Sequence, residues 1–199
     1  MNERRILRLA AVAMTTASTA LMTIISSSAP VRAQGKEQSF EFHPPGDTVK
    51  VNPAKVVLTG EVLSPAVQYF PAVAAAQRGS LLDFLTRLSA ASREGTPSDM
   101  LALWSPVERE AMRPTIASLF ERNQALARTI GRSSLRARLL YGPYILAIVR
   151  HEMKDGTSIV SVYPVTREGE SYFLTDRLAS DPMFTFLVTT FRERFHGPQ

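Results

Sequence analysis

The sequence predicts an α+β fold in which helices pack on a curved antiparallel β-meander, with an extended N-terminal segment and a C-terminal helix. Residues 144–165 have the composition of two strands joined at Asp155-Gly156, a frequent hairpin turn. Residues 80–131 carry apolar side chains at helical spacing. Further strand candidates surround the hairpin, with short glycine-containing turns between them. Helices followed by a meander indicate helices segregated to one face of the sheet.

The first 33 residues have the pattern of a secretory signal peptide. Arg4, Arg5 and Arg8 precede an apolar stretch, and Val31-Arg32-Ala33 ends in the small residues that signal peptidase prefers. We therefore expect cleavage after Ala33 and a periplasmic or secreted mature protein, without a stable membrane span. An uncleaved membrane anchor is the alternative. Arg4-Arg5 also faintly resembles a twin-arginine signal, although ordinary secretion is favoured.

The composition excludes several kinds of chemistry. The chain has no cysteine, which rules out disulfides, thiol catalysis, cysteine-based zinc sites and a lipoprotein anchor. The net charge of +5 falls to +2 once residues 1–33 are removed, so the basic balance does not indicate nucleic-acid binding. The sequence lacks a histidine pair at metal-binding spacing, an EF-hand loop and a glycine-rich phosphate loop. We therefore expect neither a metal nor a cofactor.

Residues 34–79 are predicted to be largely extended, as an addition to a main domain at residues 80–199. Strand candidates lie at residues 39–43, 48–51 and 55–63, with turn signals between them. The alanine-rich residues 72–77 favour a helical turn.

Start and stop signals divide the helical part of the chain. Ser80 is the expected N-cap of an amphipathic helix. Ser98 should begin a short helix, and Ser105 should cap a third. Pro114 should restart or kink that helix, and Gly131 should cap its C-terminus.

The predicted meander contains strands at residues 135–141, 144–153, 157–165 and 171–175. Its central hairpin has two possible registers. A two-residue turn, which we favour, places Lys154 opposite Thr157. A three-residue loop with a bulge shifts the pairing by one residue and exchanges the faces of the second strand.

In either register of the hairpin both faces are substantially apolar, so each face needs a cover. We expect helices on one face, and a pocket, another segment or a second subunit on the other. Asp181-Pro182 begins a last segment with phenylalanines at helical spacing, which predicts the C-terminal helix.

The order of these elements resembles the nuclear-transport-factor-like superfamily, with its cystatin-like and polyketide-cyclase-like members. The resemblance covers residues 80–178, and residues 99–106 (DMLALWSP) carry its short second helix. It implies a cone with a pocket between sheet and helices, and frequent homodimers through the sheet. The superfamily includes isomerases, dehydratases and non-catalytic binding modules, so the resemblance does not choose a function. The N-terminal extension and the phenylalanine-rich tail depart from the pattern.

A few polar side chains near the hairpin are candidates for chemistry. His151 is the best candidate for a catalytic base because its pKa is closest to neutral pH. An ordinary half-buried histidine is the alternative. Tyr144, Arg150, Ser161 and Tyr163 share one face in the favoured register and form the candidate ligand-binding set. Arginine stems and tyrosine rings that merely pack are the alternative.

Five arginines form a basic run that is uninterrupted by acidic residues: Arg122, Arg128, Arg132, Arg136 and Arg138. Such a run can attract an anionic partner, such as an acidic polysaccharide, a lipid headgroup or an acidic protein face. The alternative is a solvated helix end whose arginines complement the helix dipole. Trp104 is expected to pack in the core.

Two hypotheses about function follow from the sequence. The first is an exported, non-catalytic binding or interaction module, accessory to a process of the cell envelope. The second is a small-molecule isomerase or dehydratase that uses His151 or a buried carboxylate, with a tyrosine as electrophile. The second requires a pocket with at least two ionisable side chains within hydrogen-bond reach of each other.

Overall fold

The computed structural model describes residues 34–44, 55–71 and 77–196. The predicted signal peptide, the strand candidate at residues 48–51 and residues 72–76 of the predicted helical turn lie outside the described residues. The strands are β1 (Gln34–Phe42), β2 (Val56–Phe70), β3 (Ile130–Tyr141), β4 (Tyr144–Met153), β5 (Ser158–Glu168) and β6 (Ser171–Leu174). The helices are α1 (Leu81–Glu94), α2 (Pro97–Ala102), α3 (Arg109–Met112), α4 (Ile116–Thr129) and α5 (Pro182–Phe195).

All six strands form one sheet in the order β1-β2-β3-β4-β5-β6, and every neighbouring pair is antiparallel. The predicted α+β class and the meander are confirmed. The extended N-terminal segment supplies β1 and β2, which continue the same sheet. From β3 to β6 short connections explain this order, because antiparallel neighbours need only a tight turn between them. Strands β2 and β3 are also neighbours, although the helices α1 to α4 lie between them in the sequence.

Each face of the sheet carries its own apolar core. On one face Val149 and Ala147 of β4 pack beneath helices α1 to α4, with Phe84 and Leu85 fully buried. On the other face Leu146 and further strand residues pack against α5. The prediction that both faces need a cover is confirmed, and the second cover is the C-terminal helix of the same chain. Among the described residues, the central strands therefore present no open face for the expected homodimer through the sheet.

Helix α5 is fixed to the sheet at its N-terminus. Asp181 caps the helix, since its Oδ1 accepts hydrogen bonds from the backbone N–H groups of Met183 and Phe184. The hydroxyl of Tyr141, at the end of β3, donates to Asp181 Oδ2 at 2.6 Å. Burial, and next the Asp181 carboxylate, raise the pKa of Tyr141.

None of the described helices combines the length and the apolar character needed to cross a membrane.

The favoured register of the central hairpin is wrong. The backbone N–H of Met153 donates to Thr157 O at 2.8 Å, which leaves a three-residue loop, Lys154-Asp155-Gly156. Gly156 adopts a φ of 87°, the left-handed conformation that a bulged three-residue loop requires. The Asp155 carboxylate stabilises this loop by accepting hydrogen bonds from the N–H and hydroxyl of Thr157. The alternative register is therefore the one observed.

Several predicted helix ends are displaced. The short helix α2 is capped by Thr96, not Ser98, because Thr96 and Asp99 form a reciprocal capping box with Pro97 between them. The third helix begins at Arg109, since the segment after Ser105 forms a turn. The break at Pro114 is confirmed. Gly131 does not cap α4, because the chain passes directly from Thr129 into β3.

Candidate functional site

A cavity of about 420 Å³ lies between the helices and the sheet. Its helical wall is largely apolar and comes from α1, α2, α3 and α4. Strand β5 supplies part of the opposite wall, including Ile159, Ser161 and Tyr163. The main apolar side chains of the cavity are Leu88, Met100, Trp104, Met112, Leu119 and Leu174. The core position predicted for Trp104 is confirmed, and the indole also forms part of the cavity wall.

The short length of β6 leaves room for this cavity. Strand β6 pairs only with residues Val165–Glu168 of β5, so the first half of β5 has no β6 neighbour. The cavity extends past this edge to Val162 and to Arg192, which lie on the α5 side of the sheet. The segment after β6 contributes Thr175, Asp176 and Arg177 to the lining.

A group of buried and half-buried polar side chains lies at the sheet wall of the cavity. The Ser133 hydroxyl lies 2.8 Å from His151 Nδ1, and His151 Nε2 lies 3.1 Å from the Tyr163 hydroxyl. The hydroxyl of Ser133 partly offsets the effect of burial on the pKa of Tyr69, and that of Ser161 does the same for the pKa of Tyr163. Strand pairing creates this group, because Ser133 of β3 stands directly opposite His151 of β4. We call Tyr69, Ser133, His151, Ser161 and Tyr163 the polar chain.

Burial controls the charge of the polar chain. It lowers the pKa of His151 to about 4, because an imidazolium would lose its hydration in this site. It raises the pKa of Tyr69 and of Tyr163 for the corresponding reason, since a phenolate would be equally unfavourable. The group is therefore uncharged near neutral pH. It can donate and accept hydrogen bonds.

A carboxylate cluster lies next to the segment that lines the cavity after β6. Glu108 is only 8% exposed. Its Oε1 accepts hydrogen bonds from the hydroxyl of Thr175 at 2.9 Å and from the backbone N–H of Asp176 at 3.2 Å. Burial first, and then a side-chain hydrogen bond with Asp176, raise the pKa of Glu108. These contacts join Glu108, just before α3, to Thr175 and Asp176. They hold the segment after β6 in place at the cavity.

The predicted ligand-binding set is divided between the two faces of the sheet. The expectation that Arg150 and Tyr163 share a face is wrong, because Arg150 pairs with Val160 and Ala147 pairs with Tyr163. Tyr144 and Arg150 lie on the α5 side, whereas Ser161 and Tyr163 lie on the helix-covered side with His151. The one-residue shift in register causes this division. His151 is 4% exposed, which is more buried than the half-buried alternative.

The predicted basic run does not form one surface. Arg122 and Arg128 belong to α4, while the other three arginines belong to β3. Arg138 forms a bidentate pair with Glu61 at 3.0 Å, and Arg132 lies 3.6 Å from Glu152. Arg136 is 6% exposed, so it is not a surface residue. The five arginines are therefore not one exposed patch, and the anionic partner stays a prediction.

Two polar residues of the site were not identified from the sequence. Tyr69 lies in a stretch of β2 where the pairing with β3 shifts register, and Ser133 precedes the predicted start of β3. Ser133 would have been found only by extending β3 back to Ile130 and knowing its pairing with β4. Glu108 follows Ser105, where a helix was predicted to begin, but its side chain is a buried hydrogen-bond acceptor.

The fold and site define an α+β protein with a mostly apolar internal cavity and an uncharged polar chain on one wall. Comparisons with protein-family models, with curated proteins and with solved structures found no match for this chain.

Proposed function

We propose that this protein is an exported, non-catalytic binding module that holds a small, largely apolar molecule in the cavity between its helices and its sheet. The observation that carries the proposal is the cavity itself, at about 420 Å³. Small-molecule sites are typically concave and mostly apolar, with a few polar groups that orient the ligand. The apolar helical wall and the polar chain fit that description.

A thermal-shift screen with a library of small apolar compounds tests this proposal. A compound that binds only the folded protein raises its melting temperature by mass action. Ser89→Phe places a large side chain in the cavity, because Ser89 lines it from α1. Ala90→Phe is the matched control, since Ala90 is the exposed next residue of the same helix.

We expect hits that stabilise the wild type and Ala90→Phe but not Ser89→Phe. The proposal is refuted if no compound stabilises the wild type, or if Ser89→Phe responds as the control does. Wild-type unfolding without a compound provides the common reference for the three proteins.

A second candidate function is catalysis by an isomerase or dehydratase. The distance of 3.1 Å between His151 Nε2 and the Tyr163 hydroxyl favours it, because this pair meets the geometric requirement that the hypothesis set. Tyr163 would supply the hydrogen bond to a developing oxyanion, and neutral His151 would take the proton. The low pKa of the histidine makes it a weak base, which is why we place binding first.

Proton exchange distinguishes the two functions. A catalytic site should accelerate deuterium incorporation next to the carbonyl of a ketone that binds in the cavity. His151→Gln should abolish that acceleration while the ketone still binds. Bound ketone with no accelerated exchange in the wild type would exclude this chemistry for the class of compound tested.

We also propose that residues 1–33 direct export. Their basic, apolar and small-residue regions support this proposal. Mass spectrometry of the protein from a fractionated bacterial host should find a mature chain that begins at Gln34 outside the cytoplasm. Recovery of an uncleaved chain that begins at Met1 from the soluble cytoplasmic fraction would refute this proposal.

The nuclear-transport-factor-like resemblance remains a proposal about ancestry and shape. A pocket between a sheet and the helices is what the resemblance implies, and the cavity occupies such a position. An experimental structure that shows a cone-shaped sheet closing around the cavity would support the assignment, and a flat sheet would contradict it.

A further inference from the structure

Part of β5 directs backbone N–H and C=O groups away from β4. In an antiparallel sheet, successive residues of a strand direct these groups to opposite edges. Met153 donates its N–H to Thr157 O, so alternate residues of β4, counted back from Met153, face β5. Ser161 stands opposite one of these residues and therefore pairs with β4. Its neighbours Val160 and Val162 direct their backbone groups the other way.

A contact at the end of β6 agrees with this alternation. The backbone N–H of Thr175 donates to Pro164 O at 3.2 Å, and Pro164, two residues from Val162, faces the same edge. Strand β6 itself pairs only with Val165–Glu168. The described part of the chain supplies no hydrogen-bond partner for the backbone N–H and C=O groups of Val160 and Val162. We call these four groups the free edge of β5.

The free edge is buried beside the cavity. Val160 is 5% exposed and Val162 is 9% exposed. The cavity is lined by Ser161 and Tyr163 from the helix-covered face of β5 and by Val162 from the α5 face, so it reaches around the edge between the two faces. Buried backbone groups almost always have a hydrogen-bond partner. The occupant of the cavity is in a position to supply the partner for Val162.

We propose that the cavity holds a short, extended and largely apolar peptide segment, whose backbone pairs with the free edge at Val162 in the manner of an added strand. This inference rests on the proposed function and specifies its ligand class. A peptide residue opposite Val162 accepts a hydrogen bond from its N–H and donates one to its C=O, whereas a hydrocarbon would leave both groups unpaired.

The lining of the cavity is compatible with such a segment. A volume of about 420 Å³ is that of a small-molecule site, which restricts the segment to a few residues. The apolar helical wall can receive its side chains. The charged side chains of the lining have both signs, as do the two ends of a peptide: Arg93, Arg177 and Arg192 with Asp176.

A capped dipeptide, acetyl-leucyl-leucine methylamide, and two of its esters test the pairing. In each ester the N–H of one leucine is replaced by oxygen, which removes a donor with little change of shape. We expect the dipeptide to bind the wild type and Ala90→Phe but not Ser89→Phe, whose new side chain fills the cavity. At least one ester should bind about two- to tenfold more weakly, the range that one net hydrogen bond supplies.

A nuclear magnetic resonance coupling through the hydrogen bond locates the pairing. With isotope-labelled protein and a peptide labelled at its carbonyl carbons, the Val162 nitrogen should couple to a peptide carbonyl. The Ser161 nitrogen should couple to the carbonyl of Val149 with and without peptide, because these two residues are paired, and it is the positive control.

The outcomes separate this inference from the proposed function. A dipeptide that binds in the cavity with no coupling at Val162, and no more tightly than either ester, would overturn the strand pairing and leave the cavity as a binding site. Binding of other apolar compounds but not of the dipeptide would overturn the peptide class alone. Coupling of Val162 to a second copy of the protein would also overturn it, because that copy would occupy the edge. If no compound and no peptide binds, the proposed function fails and this inference fails with it.

Discussion

Arg136 shows how a single residue departs from what the sequence suggests. Its side chain is 6% exposed, and its Nε and Nη2 atoms have no hydrogen-bond partner. Burial first, and then the charge of Arg150, lower its pKa, and Glu152 only partly offsets this. Surface position cannot be deduced from charge alone, because the bulge between Leu135 and Ala137 changes how β3 presents its side chains.

Replacing Arg136 by methionine should leave the free energy of unfolding unchanged or raise it by about 1 kcal/mol, because a buried charge with unpaired donors is removed while the stem is kept. Arg138→Met is the control. It removes the Glu61 pair, which is half-exposed, and should cost no more than about 1 kcal/mol. Urea unfolding measures both. A loss of stability in Arg136→Met well above that of the control would contradict the description of Arg136.

His151 should make the protein less stable in mild acid. In the unfolded chain it titrates near its ordinary pKa of about 6.5, whereas burial lowers the folded-state pKa to about 4. Between these values the unfolded state binds more protons, so stability falls as the pH falls. Lowering the pH from about 7.5 to about 5 should cost about 2 kcal/mol through this residue.

The variant His151→Gln isolates this effect. It removes the titrating group, while all other ionisable residues remain, including Glu108 with its raised pKa. Urea unfolding measures the free energy of unfolding at about pH 7.5 and about pH 5. The decrease between the two pH values should be about 2 kcal/mol smaller for the variant than for the wild type. Identical pH dependence in the two proteins would mean that His151 is not buried as described.

At the scale of elements, α5 determines whether the second face of the sheet is covered. Phe191 is fully buried and makes edge-to-face contacts with Phe42 of β1 and Phe195 of α5, at centroid distances of 5.3 Å and 6.2 Å. Helix α5 therefore packs against β1, the first of the described strands. Because Phe42 and Phe191 are far apart in the sequence, the local sequence of β1 or of α5 alone does not predict this contact.

Phe191→Ala should lower the free energy of unfolding by about 3–5 kcal/mol, because it leaves a cavity in a close-packed core. Phe186→Ala, at a partly buried position of the same helix, should cost clearly less. Chemical denaturation of both variants measures the difference. Equal costs would show that α5 does not dock through the face that carries Phe191.

Elements with strong local patterns were predictable from the sequence. Strand β4 was placed at its observed ends because turn residues bound it on both sides, and α5 followed from its Asp-Pro start. The register of the hairpin was not predictable, because both registers place apolar residues on both faces. The candidate site depended on that register. His151 was identified, but its partners Ser133 and Tyr69 come from strands whose pairing the sequence does not specify.

At the scale of the whole molecule, the two faces of the sheet differ in what their side chains form. The α5 side is a close-packed core that joins the two ends of the described chain. The opposite side carries four helices, and the packing there encloses the cavity. The central claim is that this cavity is a binding site.

The chain carries its own reporter for that claim, since Trp104 is the only tryptophan and it lines the cavity. The most direct measurement is energy transfer from Trp104 to the neutral fluorophore 1-aminoanthracene during a titration. We predict saturable quenching of Trp104 in the wild type and in Ala90→Phe, and a large loss of that quenching in Ser89→Phe. Quenching that never saturates, or that is the same in Ser89→Phe and its control, would contradict the claim.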